Sequence, residues 1–131
     1  MDAQAASHFN NIVARAFATF KNVEYSTDTT PVRSILRLHA DYGPHRISVV
    51  EMLSDGVRKY GYYVLREDWV IAGFDNSPDP RAIRLRYGRI GAQYAGRLVP
   101  HLHLQDKTEL ILTDEITFES FVEWIHTNLS R

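Results

Sequence analysis

A chain of 131 residues, 44% hydrophobic and 24% charged, has the balance of a folded globular protein with a core of its own, not of a disordered one. The absence of cysteine excludes a disulfide framework and thiolate metal centres. No apolar run approaches the roughly 18 residues that cross a bilayer, and "MDAQAASHF" lacks the basic start and apolar stretch of a secretion signal, so a cytoplasmic protein without a membrane partner is expected.

The first segment, "AASHFNNIVARAFATFK", carries Ala6, Phe9, Val13, Ala16, Phe17 and Phe20 at helical spacing. It reads as an amphipathic helix with Ser7 as a candidate cap. "STDTTPV" then breaks the pattern at Pro31. Four strand-like runs follow: "RSILRLHADY", "RISVVEML" after Gly43-Pro44, "VRKYGYYVL" after Ser54-Asp55-Gly56, and "WVIAGF" after Glu67-Asp68. Asp-Gly tolerates positive φ and marks a hairpin. Short connections of this kind make neighbouring strands antiparallel.

From Asp75 to Val99 the periodicity disappears, and the stretch reads as a functional loop, a short helix or a disordered segment. Charge concentrates here. Twelve of the fifteen basic residues are arginine, and Arg81, Arg84, Arg86, Arg89 and Arg97 face only Asp79 between 77 and 100. From Leu104 onward the balance turns acidic, although the net charge of the whole chain is −1. A local basic stretch draws a polyanion even from a near-neutral chain. "LVPHLHL" reads as a fifth strand, which "TELILT" continues or pairs with. "ITFESFVEWIHTNL" places Phe118, Phe121, Val122, Ile125 and Leu129 on one helical face. Thr117 suits its N-cap, Ile116 and Phe121 a hydrophobic staple, and Glu119 the positive helix start. The pattern predicts a single α+β domain over 1–131: an antiparallel β-meander of four to six strands packed on one face by N-terminal and C-terminal helices. The opposite face is left for solvent or a ligand.

His101 and His103 are the sharpest chemical feature. In a strand, alternate side chains point the same way, so this spacing aims two imidazoles at one face. They suit proton transfer near neutral pH. The same pair could supply two metal ligands, with His39 or Asp75 as a third, or form the wet face of an ordinary amphipathic strand. Asp75 could orient a histidine and Asn76 could hydrogen-bond a substrate, while "FDNSPDP" is equally a turn. The arginines with Tyr87 and Tyr94 suit phosphate and unpaired bases, or a solvated basic loop that docks against the acidic half. Tyr60, Tyr62 and Tyr63 suit a stacking surface or simply a strand. His8, His45 and His126 read as solvent-facing. There is no nucleophile elbow, phosphate-cradling glycine loop or His-Glu-x-x-His helix.

The strand "RKYGYYVL", the Asp-Asn-x-Pro turn ending "WVIAGFDNSP", the segment "PHLHL" and the closing "TFESFVEWI" together resemble the TumE-type toxins of prokaryotic toxin–antitoxin systems, over about residues 33 to 125. That family is grouped with small α+β ribonuclease toxins similar to RelE. The resemblance implies an endoribonuclease toxin, acting on RNA without metal or other cofactor and held inactive by a cognate antitoxin, with self-association as a further option. Asp75, Asn76, Pro100, His101 and His103 are the matching positions, and Lys107 stands near the basic residue that follows the family's histidines. One departure matters. Where the family has further histidines after its turn, this chain reads Asp79-Pro80-Arg81, so either arginines have taken over phosphate contacts or activity is lost. The implied mechanism is attack by the neighbouring 2′-hydroxyl. One of His101 and His103 accepts its proton and the other donates to the departing 5′-oxygen. Arg84, Arg86 or Arg97 stabilises the phosphorane, with Arg81, Asn76 and Lys107 as further substrate contacts. The alternatives are a non-catalytic protein-interaction module and a metal-binding domain built on the histidine pair.

Overall fold

The pleat sends alternate side chains to opposite faces, and through Ser34–Phe74 one of the two sets is almost entirely apolar. Leu36, Leu38 and Ala40 on β2 (Ser34–Tyr42), Ile47 and Val49 on β3 (His45–Ser54), Tyr60, Tyr62 and Val64 on β4 (Val57–Arg66) and Ala72 and Phe74 on β5 (Trp69–Asp75) are all buried. The computed structural model describes residues 3–130; Met1, Asp2 and Arg131, which entered the leader and charge readings, lie outside it. A seven-stranded antiparallel sheet runs in strict chain order from β1 (Lys21–Thr29) to β6 (His101–Leu104) and β7 (Glu109–Leu112). The α+β meander is as expected, with one strand more than the upper limit anticipated.

That extra strand is β1. It lies at the edge of the sheet, and its burial pattern is exposed at all but one position. No apolar alternation marks it in the sequence.

Helix α1 (Ala3–Thr19) and helix α3 (Phe118–Asn128) lie side by side across the apolar face. The buried stripe of α1 is Ala5, Phe9, Ile12 and Ala16. Phe17, expected inside, is 58% exposed and meets Tyr25 of β1 edge-on. Ser7 lies within the helix rather than capping it. In α3 Thr117 is the N-cap as expected, its hydroxyl accepting the Ser120 amide hydrogen at 3.1 Å, and Phe118, Phe121, Val122 and Ile125 are buried, while Leu129 stands past the helix end in extended backbone and is half-buried. Asp55 and Gly56 both take positive φ in the β3–β4 turn, as read from Asp-Gly.

The stretch without periodicity holds helix α2 (Pro80–Tyr87) and a 3-10 turn at Ala92–Tyr94. Asp79 caps α2 by accepting the Arg81 amide hydrogen at 2.8 Å, Pro80 opens the helix, and Gly88 closes it at φ 81°. Ala82 and Ile83 pack with Val99, Leu110 and Leu112 as a second small core. The opposite sheet face is therefore covered at its β6–β7 end. Among the described residues, no helix is long and apolar enough to cross a membrane.

Phe121 is fully buried, stacked on Tyr62 at 5.3 Å and edge-on to Phe74 at 6.1 Å. Phe121→Ala is expected to cost about 3–5 kcal/mol, read as a lowered urea midpoint.

Candidate active site

Register across three strands builds the site. Asp75 of β5 lies between Gly61 of β4 and His101 of β6, and Gly73 lies between Tyr63 and His103. All six therefore share the face away from α1 and α3. The first glycine pair partner, Gly73, is what lets the row close up. Tyr63 lays its ring across that position so tightly that an added Cβ would stand 2.2 Å from a ring carbon. Seated there, the Tyr63 hydroxyl donates to Asp75 Oδ2 at 2.8 Å, and its ring stacks on His103 at 6.3 Å. Lys107 Nζ stands 5.1 Å above the same ring. Asp75 Oδ1 also accepts the Ser77 amide hydrogen at 2.6 Å.

The two imidazoles are in direct contact, Nε2 to Nε2 at 3.1 Å with ring planes at 88°. They are also covered, at 1% and 3% exposure. Leu112 and Leu110 are their register partners on β7, and these leucines carry α2. The start of α2 is fastened over the β6–β7 turn by Arg81 Nη1, which donates to the Lys107 carbonyl at 2.7 Å. The pair is thus not on a wet strand face.

Hydrogen positions follow from the network. His101 Nδ1 lies 2.6 Å from the Val99 carbonyl, which only accepts, so Nδ1 carries a hydrogen. In a neutral ring His101 Nε2 is then an acceptor, and His103 Nε2 donates to it. That leaves His103 Nδ1 with a bare lone pair, and it is buried without any partner.

Asp75, His101 and His103 each bring a donor atom within 4.8 Å of the others, close enough to share one cation. His39, the other candidate ligand, is exposed on β2 and belongs to no such group among the described residues. The proton arrangement argues against a metal on both Nε2 atoms. It would force a hydrogen onto His103 Nδ1 with nothing to accept it, a cost of about 1–3 kcal/mol.

Burial lowers the His103 pKa, and the neighbouring His101 and Lys107 lower it further, against the pull of Asp75 and Asp79. For Asp75, burial alone would raise the pKa. The Ser77 hydrogen bonds, the Tyr63 hydroxyl and the nearby His101 outweigh it and hold the carboxyl below its usual range. Burial, then the charge of Asp75, raises the Tyr63 hydroxyl, which stays a donor.

The remaining sequence candidates divide. Asn76 is buried with its amide spent on the backbone, accepting from Tyr60 N at 2.9 Å and donating to the Arg58 carbonyl at 2.9 Å. It holds the turn rather than offering a substrate contact. Arg97 lies 5.6 and 5.8 Å from the stacked rings of Tyr87 and Tyr94. Arg84 and Arg86 are exposed on α2. Among the described residues no hydrogen bond, ion pair or ring contact joins these three arginines to the histidine pair. Tyr63 is the participant that sequence reasoning left with a generic role. Its signal was Gly73, a strand-interior glycine that marks a close approach. Comparison with protein-family models, curated proteins and solved structures finds no match to this chain.

Two outcomes are expected. Gly73→Ala should destabilise by about 1–3 kcal/mol through overpacking, and by less in a Tyr63→Ala background, measured as a double-mutant cycle in urea. Because the folded His103 pKa is depressed, the unfolded chain binds the proton more readily. This contribution to stability is full above about pH 6.5 and declines as pH falls below it. Urea midpoints between pH 7.5 and 5 should therefore fall less steeply in His103→Asn.

Proposed function

We propose that this chain is an RNA-cleaving toxin of a toxin–antitoxin pair, working by metal-independent acid/base chemistry and restrained by a cognate antitoxin. The observation that carries the chemistry is the unpartnered His103 Nδ1 at the end of a hydrogen-bonded imidazole pair. A neutral ring with a free lone pair is a general base. His103 Nδ1 takes the 2′-hydroxyl proton while its Nε2 hydrogen passes to His101 Nε2. Positive charge then rests on His101, whose Nδ1–H is held by Val99 and whose neighbour is the Asp75 carboxylate. The 2′-oxygen bonds to phosphorus and the bond from phosphorus to the 5′-oxygen breaks; the leaving oxygen takes a proton from a water molecule, and the hydroxide so formed takes the proton held on His103 Nδ1 as the Nε2 hydrogen passes back from His101.

Two rings only 3.1 Å apart at Nε2 cannot stand on opposite sides of one phosphate. The division into one acid and one base thus gives way to a single relay. Arg81 and Lys107, at the mouth of the pair, are the cations placed to offset charge on the phosphorane. Arg84, Arg86 and Arg97 act further out, along the RNA backbone. With both imidazoles covered, RNA reaches them when the Arg81–Lys107 contact opens. Toxin identity and the antitoxin rest on the resemblance of the Asp75-Asn76 turn and the His101–His103 strand.

The second reading, a non-catalytic interaction module, is favoured by that same burial and by Asp79-Pro80-Arg81 standing where the related toxins have histidines.

Purified chain without antitoxin is expected to cleave single-stranded RNA in the presence of a chelator. His103→Ala and His101→Ala should each slow cleavage by about 10²- to 10⁴-fold without weakening RNA binding. Binding should fall with salt at a log–log slope of about −0.7 per phosphate contacted. Intact RNA, together with growth arrest that survives both substitutions, would leave the module as the answer.

A further inference from the structure

On the helix-covered face, away from the histidine pair, an acid stands where the pleat calls for an apolar residue. Glu51 follows Ile47 and Val49 along β3 and is 0% exposed. His8 Nε2 meets its Oε1 at 2.7 Å, the Tyr62 hydroxyl donates to Oε2, and Arg58 Nη1 lies 3.4 Å from the same oxygen. Arg58 is itself tied to Glu115 at 3.1 Å. Desolvating a carboxylate costs several kcal/mol even when paired, and well-packed apolar residues often serve a core as well or better. Here the acid serves the buried Tyr62 hydroxyl and Arg58 through one oxygen and the start of α1 through the other. Its Oε1 is the atom that holds the His8 ring.

That ring lines a cavity of about 680 Å³ between the start of α1, the β1–β2 turn and the β3–β4 hairpin. The volume is of the size that takes a small molecule. Leu53, Val57 and Val32 contribute apolar wall. Arg33 also lines it, and among the described residues its guanidinium has no ion pair or hydrogen bond. Asp55 stands on the same wall, but its left-handed Asp-Gly turn, at φ 51° and 74°, already accounts for an aspartate there. With Nε2 committed to Glu51, the free polar atom of His8 is Nδ1.

We infer that this cavity is a binding site for a small organic oxyanion, a carboxylate or a phosphate monoester with an apolar body. The oxyanion sits between the Arg33 guanidinium and His8 Nδ1, and Glu51 is the residue that positions the imidazole. As an imidazolium, His8 donates through Nε2 to Glu51 and through Nδ1 to the ligand, two charge-assisted bonds on one ring. Arg33 offers the planar fork that matches either oxyanion. The apolar body rests against Leu53 and Val57.

The test is an NMR titration of the full chain with benzoate and with phenyl phosphate, which carry the same ring under the two oxyanions, and with benzyl alcohol as a neutral control. Either anion is expected to shift the His8 ring and the Ser34 and Leu53 amides saturably, at about millimolar half-saturation. The tighter of the two identifies the source of the oxyanion. Benzyl alcohol should give no saturable shift. Arg33→Ala, at an exposed position, should weaken binding about tenfold, and His8→Gln, read at the amides, by a similar factor. His101→Ala should bind as the parent does, so this result stands apart from any nuclease result. Absence of saturation with both anions, an equal response to benzyl alcohol, or unchanged binding in both Arg33→Ala and His8→Gln would overturn the inference.

Discussion

The arrangement of Asp75, His103 and Lys107 on the far face of the sheet depends on the seating of Tyr63 across Gly73. A side chain at 73 would lift the ring, and the ring is at once a donor to Asp75, a stacking surface for His103 and a platform under Lys107. Antiparallel pairing of β4, β5 and β6 places these groups opposite one another, and a one-residue slip would turn them all to the other face. Register here is pinned by the buried apolar set on the reverse side. The packing of α1 and α3 thus fixes the position of groups that neither helix touches.

The two faces solve the burial of polar groups differently. Beneath α1, Glu51 is surrounded by donors on both oxygens. Beneath α2, the imidazole pair satisfies itself in a chain that ends in one unpaired atom. Full satisfaction makes a rigid element, whereas a buried lone pair without a partner is a cost that the rest of the fold offsets.

Burial also changes the meaning of the arginines. A cluster of five within 77–100 reads in the sequence as a local basic stretch that draws a polyanion. Folding distributes them instead: Arg81 fastens α2 over the β6–β7 turn, and Arg97 lies against the Tyr87–Tyr94 stack. Of the basic residues singled out beforehand, Lys107 belongs to the turn that follows the histidine strand and Arg81 is hydrogen-bonded to its carbonyl. The Gln105–Lys107 turn runs through three successive positive φ values. It is held by Asp106, which exchanges hydrogen bonds with Val70 at 2.9 and 3.1 Å.

Local periodicity by itself determined the class of fold, the order and direction of β2 to β5, both long helices, the Thr117 cap and the common face of His101 and His103. Each of these rests on interactions between residues a few positions apart, which a linear pattern records. Strand β1 was hidden because it buries almost nothing, and α2 stood only as one of three readings of its stretch because eight residues with two buried positions make too short an apolar stripe, although Asp79-Pro80 and Gly88 bracket it. Tertiary structure alone decided that Tyr63 joins Asp75, that His8 meets Glu51 across 43 positions, and that the imidazole pair is roofed over. Those contacts arise where separate elements are pressed together, and their distances are set by packing that no local spacing encodes.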